Sequence, residues 1–249
     1  MHSLRRTLIW SSIFSVAMGY LEAAVVIYLR RLYYPDGFAF PLVPITPDIG
    51  MVEFLREAAT IIMLLGIAII AGRNMAHRFA LFIFCFAVWD IFYYVFLKIF
   101  DGWPASLLTW DILFIIPVPW VGPVLAPCIV SLTMIVLTLV IIFAAEKDQH
   151  VRIGWLSWGL IIIGAFDIIF SFTIDYYLYV TAHGHSIWKP TDDLGLFYDI
   201  AHYIPQSFDW RIFLMGELLL IGAVVSIFVQ IRKEHPSGNG SRVATAPAP

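Results

Sequence analysis

The chain has 249 residues, 61% of them hydrophobic and only 13% charged, with a net charge of -3. A soluble domain is about half apolar and about a quarter charged, so this composition excludes an ordinary soluble enzyme and indicates an integral membrane protein. The net charge says little about partners, and no long basic run points to nucleic acid.

Six apolar runs are long enough to cross a bilayer, predicted near 7–30, 49–72, 78–99, 124–145, 154–180 and 208–231. Each must satisfy its own backbone polar groups, and none shows the alternation of a barrel strand, so each is predicted as a helix. The fold class is therefore all-α, a polytopic membrane helix bundle forming one domain over 1–235. The remaining residues, 236–249, are rich in Pro, Gly, Ser and Ala and are predicted to form a disordered cytoplasmic tail.

The first run follows the basic segment Met1–Arg6, as a secretory signal would. It is long enough to span and carries Glu22, which fits a retained helix better than a cleaved leader. Ser12, Ser15, Gly19 and Glu22 share one of its faces. Thr46-Pro47-Asp48 reads as N-cap, first-turn proline and first-turn acid of the second span. There Glu53, Arg56 and Glu57 lie on one helical surface, so Arg56 is within reach of either acid. Asp90, Tyr94 and Lys98 form a polar stripe on the third span.

The segment near 107–117 is apolar but too short to span, and Pro117, Pro119, Pro123 and Pro127 close it. It is predicted to be a short re-entrant or interfacial half-helix around Asp111. Asp111 also suits the start of such a helix through the dipole. On the fifth span Asp167, Ser171, Asp175 and Tyr179 form a second polar stripe. Ser207 and Asp209 open the sixth, which carries Glu217.

Basic residues orient the bundle. With six spans and a cytoplasmic N-terminus, Arg5, Arg6, Arg73, Arg78, Lys147, Arg152, Arg232, Lys233 and Arg242 fall inside. Arg30, Arg31, Lys98 and Lys189 fall outside, with Arg56 and Arg211 near the outer helix ends. That bias predicts a multi-pass cell-membrane protein with both termini cytoplasmic. The outer connections, about 31–48, 100–123 and 181–207, are long and aromatic, which predicts functional or occluding loops.

Carboxylates inside apolar spans are the sharpest functional signal. Glu22, Glu57, Asp90, Asp167 and Glu217 each sit where a charge costs roughly 2.5–3.5 kcal/mol unless it faces protein or water. At a rise of about 1.5 Å per residue, all five fall between the midplane and the outer face. Shared depth predicts an acid-lined cavity open to the non-cytoplasmic side, with Arg56, Tyr94, Asp111, Ser171 and Asp175 in support. Such acids also hold helices together by bonding to neighbouring polar groups, so a structural role competes with a functional one.

No nucleotide loop, nucleophile elbow or zinc-protease motif is present, and no cofactor is predicted. A divalent metal remains open on the carboxylates. His183 and His185 beside Asp192, Asp193 and Asp199, in the connection that also holds His202, offer other ligands, although their spacing matches no strong motif. Cys85 and Cys128 read as buried apolar thiols.

Three functions fit. The leading expectation is a transporter-like protein or relay binding a proton, cation or cationic solute. The second is a membrane-embedded enzyme acting on a lipid or isoprenoid. The third is a subunit of a membrane complex, or a homo-oligomer, with structural acids. The sequence does not decide whether the chain is an enzyme.

Overall fold

The computed structural model describes residues 2–43, 45–115, 118–147, 153–183 and 202–234. Its helices are α1 (His2–Tyr33), α2 (Pro47–Ala71), α3 (Met75–Asp101), α4 (Leu125–Lys147), α5 (Trp155–Ala182) and α6 (Trp210–Glu234). All six are long and apolar enough to cross a membrane, as the hydropathy pattern predicts. The chain is an integral membrane helix bundle.

Local chemistry sets the helix ends. The Asn74 side chain accepts from the His77 backbone N–H at 2.9 Å and starts α3. Asp209 accepts from the N–H groups of Arg211 and Ile212 at 3.0 and 3.3 Å and starts α6. Thr46 precedes α2 in extended backbone with Pro47 behind it, but its side chain makes no capping bond. Helix α1 runs three residues past its expected end at residue 30, with Arg30 and Arg31 in the last turn, where the helix dipole favours cations.

The chain order of the packing is simple. Helices α1 and α2 pack on α3, α3 on α4, α4 on α6, and α6 on α5. Lipid tails are as apolar as leucine, so these contacts rest on close packing and interhelical hydrogen bonds. The Thr138 hydroxyl donates to the Ala80 carbonyl at 2.9 Å, joining α4 to α3. Ser157 and Ser226 join α5 to α6 at 2.9 Å. Gly164 and Gly216 let those two helices touch: a Cβ on either would lie 2.8 Å from the other's carbonyl oxygen. Near the chain termini the core draws in Leu4, Ala68, Leu81, Ile141, Ile161 and Ile227, one from each helix.

One element differs from expectation. Residues 107–115, the described part of the expected half-helix, are not helical. They contribute β1 (Trp110–Phe114), which pairs antiparallel with β2 (Trp120–Pro123). Trp110 faces Pro123, Asp111 faces Gly122, and Ile112 faces Val121, with a register shift before the Phe114–Trp120 pair. The prolines that follow oppose helix, and the Trp, Ile and Phe side chains suit strand. Pairing satisfies backbone groups that a half-helix would have bonded internally. The hairpin packs on α4 and α5, so protein covers its backbone. It marks one end of the bundle, called the hairpin end below.

The 236–249 tail lies outside the described residues, as do His185, Asp192, Asp193 and Asp199.

Candidate functional site

At the hairpin end a cavity of about 310 Å³ lies between α1, α2, the 34–45 connection and β1. Its charged wall is Glu22 and Arg30 from α1, Glu53, Arg56 and Glu57 from α2, and Asp111 from β1. Val26, Leu29, Tyr33, Phe54 and Tyr93 supply apolar and aromatic surface. The connection lines the cavity with Tyr34, Phe38, Leu42 and Val43. The Tyr34 hydroxyl accepts from the Val43 N–H at 2.8 Å and folds this connection back on itself.

Two arginines organise the acids. Arg56 donates from Nε to Glu53 at 2.7 Å, one helical turn away, and from Nη1 to Glu22 across the α1–α2 gap. It therefore pairs with Glu53 and not with its neighbour Glu57. Arg30 is 5% exposed. It donates to Asp101 at 3.2 Å, lies 3.6 Å from Asp111, and sits against the rings of Trp103 and Phe38 at 3.9 and 4.5 Å. Stacked and paired on several sides, it is a fixed charge.

Glu57 is held differently. It is 7% exposed, and both its oxygens accept from one backbone N–H, that of Ile115, at 3.2 and 3.1 Å. No ion pair reaches it among the described residues. Here β1 ends on a carboxylate, which ties the hairpin to α2.

Asp111 is 2% exposed and accepts from the Tyr94 hydroxyl at 3.2 Å. Burial pushes its carboxyl up to about 6, against the opposing pull of Arg30, the Ile112 N–H and Tyr94, while Glu22 adds to the rise. The folded form thus binds this proton more tightly than the unfolded chain, whose ordinary value is 3.8. The cost of burying the charge is absent below about pH 4 and present in full above about pH 6. Thermal unfolding in detergent should show stability falling as pH rises through that window. Asp111→Asn should flatten that part of the curve; an unchanged slope would show that another group sets it.

The other expected acids lie elsewhere. Asp90 accepts from the Ser131 hydroxyl at 2.9 Å and lines a second cavity, beside α4. Glu217, 4% exposed, accepts from Thr133 at 2.8 Å. Asp167 lies at the α5–α6 crossing, its Cβ 3.1 Å from where a Cβ on Gly216 would fall, and it lines neither cavity. Asp175 accepts from the Tyr203 hydroxyl at 2.6 Å and from the N–H groups of Gln206 and Ser207 at 3.1 and 3.2 Å, which fixes the approach to α6. Ser171 bonds within its own helix, to the Ile168 carbonyl at 2.7 Å. The structure therefore brings together Glu22, Arg56, Glu57 and Asp111, with Tyr94 behind Asp111. Asp90, Asp167, Glu217, Ser171 and Asp175 stand apart from that cavity.

Arg30, Glu53 and Tyr93 join the site beyond the residues singled out from sequence. Glu53 was legible through its helical spacing to Arg56; Arg30 and Tyr93 carried no local signal. Among the described residues, no three His, Cys, Asp or Glu side chains are grouped to hold a metal ion. No protein-family model matches the chain, and no curated protein or solved structure matches it.

Proposed function

We propose that the hairpin-end cavity binds a small organic cation or exchanges protons, and that the chain is a transporter-like protein or relay. In this reading both termini are cytoplasmic and the cavity faces the non-cytoplasmic side, as the distribution of Lys and Arg favours.

Glu57 carries the reading. A buried carboxylate with one N–H donor and, among the described residues, no ion pair is an anionic group with room for a cation or a proton. The wider balance points the same way, because Glu22, Glu53, Glu57 and Asp111 face only Arg30 and Arg56 around the cavity. Its volume, about 310 Å³, suits a small molecule better than a bare ion. The aromatic and apolar walls would receive the body of an amine or quaternary ammonium, and ring faces attract such cations.

The test is a flux assay in proteoliposomes holding a pH-sensitive dye, with an inward gradient of methylammonium or tetramethylammonium. Wild type should couple the gradient to cation uptake or proton movement. Glu57→Gln keeps an oxygen for the Ile115 N–H, so the hairpin stays seated while the charge is lost. This variant should lower the flux at least tenfold. Equal flux in variant and wild type, or none in wild type above protein-free vesicles, would defeat the proposal.

A further inference from the structure

A second cavity, of about 270 Å³, lies between α3 and α5 with α4 as its floor. The strand β1 separates it from the cation cavity, since Leu113 lines both. Its shape follows the helices. From Phe79 to Asp90 along α3 it extends roughly 16 Å at the helical rise per residue. Phe79 lies near its lower end, where its ring meets Trp158 of α5 at 4.9 Å. Phe114 and Trp120 of the hairpin form the upper end.

The walls are apolar, with Ile83, Phe86, Met134, Leu137, Ile161 and Phe172 among them. Among the described residues, polar side chains line it at Asp90 and Ser131, which bond each other at 2.9 Å, and at Thr133, which bonds Glu217 at 2.8 Å. A site with so few available partners does not hold water well. An unfilled void of this size would forfeit dispersion contacts along every wall. Helix α5 packs on α6 and leaves a gap toward α3; on its rim Ile169 is 38% exposed. The gap therefore faces the bilayer, and the groove runs in the direction of the bilayer's own chains.

We propose that this groove holds one acyl chain of a bilayer phospholipid, inserted between α3 and α5. The inserted chain packs against Leu113 and Phe114, on the strand that carries Asp111 to the other cavity. The site does not depend on the cation reading.

The test uses the full chain reconstituted in phosphatidylcholine vesicles doped with a phosphatidylglycerol that carries a mid-chain diazirine. After illumination, adducts are mapped by peptide mass spectrometry. Adducts are expected at Ile83, Phe86 and Leu137 as well as at the outward-facing Ile162 and Leu178. Ala165, on the groove wall, is the site to fill. Ala165→Trp should cut the groove adducts at least fivefold and leave those at Ile162 and Leu178 unchanged. Adducts confined to Ile162, Leu178 and similar outward positions in wild type would overturn the proposal, as would groove adducts that persist at full yield in Ala165→Trp.

Discussion

Arg56→Met should destabilise the protein by about 3 kcal/mol, because it leaves Glu22 and Glu53 facing each other without their shared guanidinium. The side chains of Arg56, Glu22 and Glu53 are 20%, 14% and 13% exposed, which screens the pair only in part. Most of the loss comes from stranding the acids, so removing one of them should recover some of it. The double variant Arg56→Met, Glu22→Gln should cost less than the sum of the two single changes, with a coupling of about 1–3 kcal/mol. Unfolding titrations of the four proteins in mixed micelles measure that coupling. Strict additivity would mean that the α1–α2 bridge contributes nothing to stability.

Gly19→Val should be comparably damaging for a steric reason. A Cβ at Gly19 would lie 2.9 Å from the Trp89 carbonyl oxygen, 3.0 Å from the Tyr93 nitrogen and 3.1 Å from the Phe92 carbonyl carbon. All three are backbone atoms of α3 and cannot turn aside as a side chain would. Valine therefore pushes α1 away from α3, at an expected cost of about 2–3 kcal/mol. Glu22 lies one turn further along α1, so the same displacement draws it from Arg56. Gly19→Val should lower the melting temperature and also remove most of the coupling measured between Glu22 and Arg56. A variant that melts like wild type would show that α1 and α3 have slack at this crossing.

The six spans were legible in the sequence because each is a long apolar run that can satisfy its own backbone. The hairpin was not. Pro117 and Pro119 signalled broken structure, but a run such as Trp110–Phe114 fits strand or helix equally well until its partner is known. That partner, Trp120–Pro123, lies beyond the prolines. The depth of the acids was also legible, since it follows from counting residues. Their direction around each helix was not, because it depends on which helices are neighbours. Helix α1 packs beside α3 and turns Glu22 toward Arg56, whereas Asp90 on α3 turns toward Ser131 of α4. Arg30 shows the same limit. As a loop-side charge it counted against the orientation, yet it is buried under Phe38 and Trp103, rings from two separate connections.

The pairing logic gives the two arginines different parts. Arg30 fastens α1 to the end of α3 and to β1, and so fixes the back of the cavity. Arg56 hydrogen-bonds one pair of acids, and among the described residues no ion pair reaches Glu57, although Arg56 lies close enough to act on it through space. Under the proposed function, a proton or cation taken up at Glu57 would act directly on the hairpin, because the same oxygens hold the Ile115 N–H.

Cysteine labelling at the cavity wall tests the central claim most directly. Leu29 lines the cavity, so Leu29→Cys in a Cys85→Ala, Cys128→Ala background places a single thiol there. Its reaction rate would be measured with a cationic trimethylammonium methanethiosulfonate and with the anionic sulfonate reagent of similar size. The acidic cavity predicts at least tenfold faster reaction with the cation, and a much smaller preference once Glu57→Gln is added. Equal rates for the two reagents, or a preference that ignores Glu57, would contradict it.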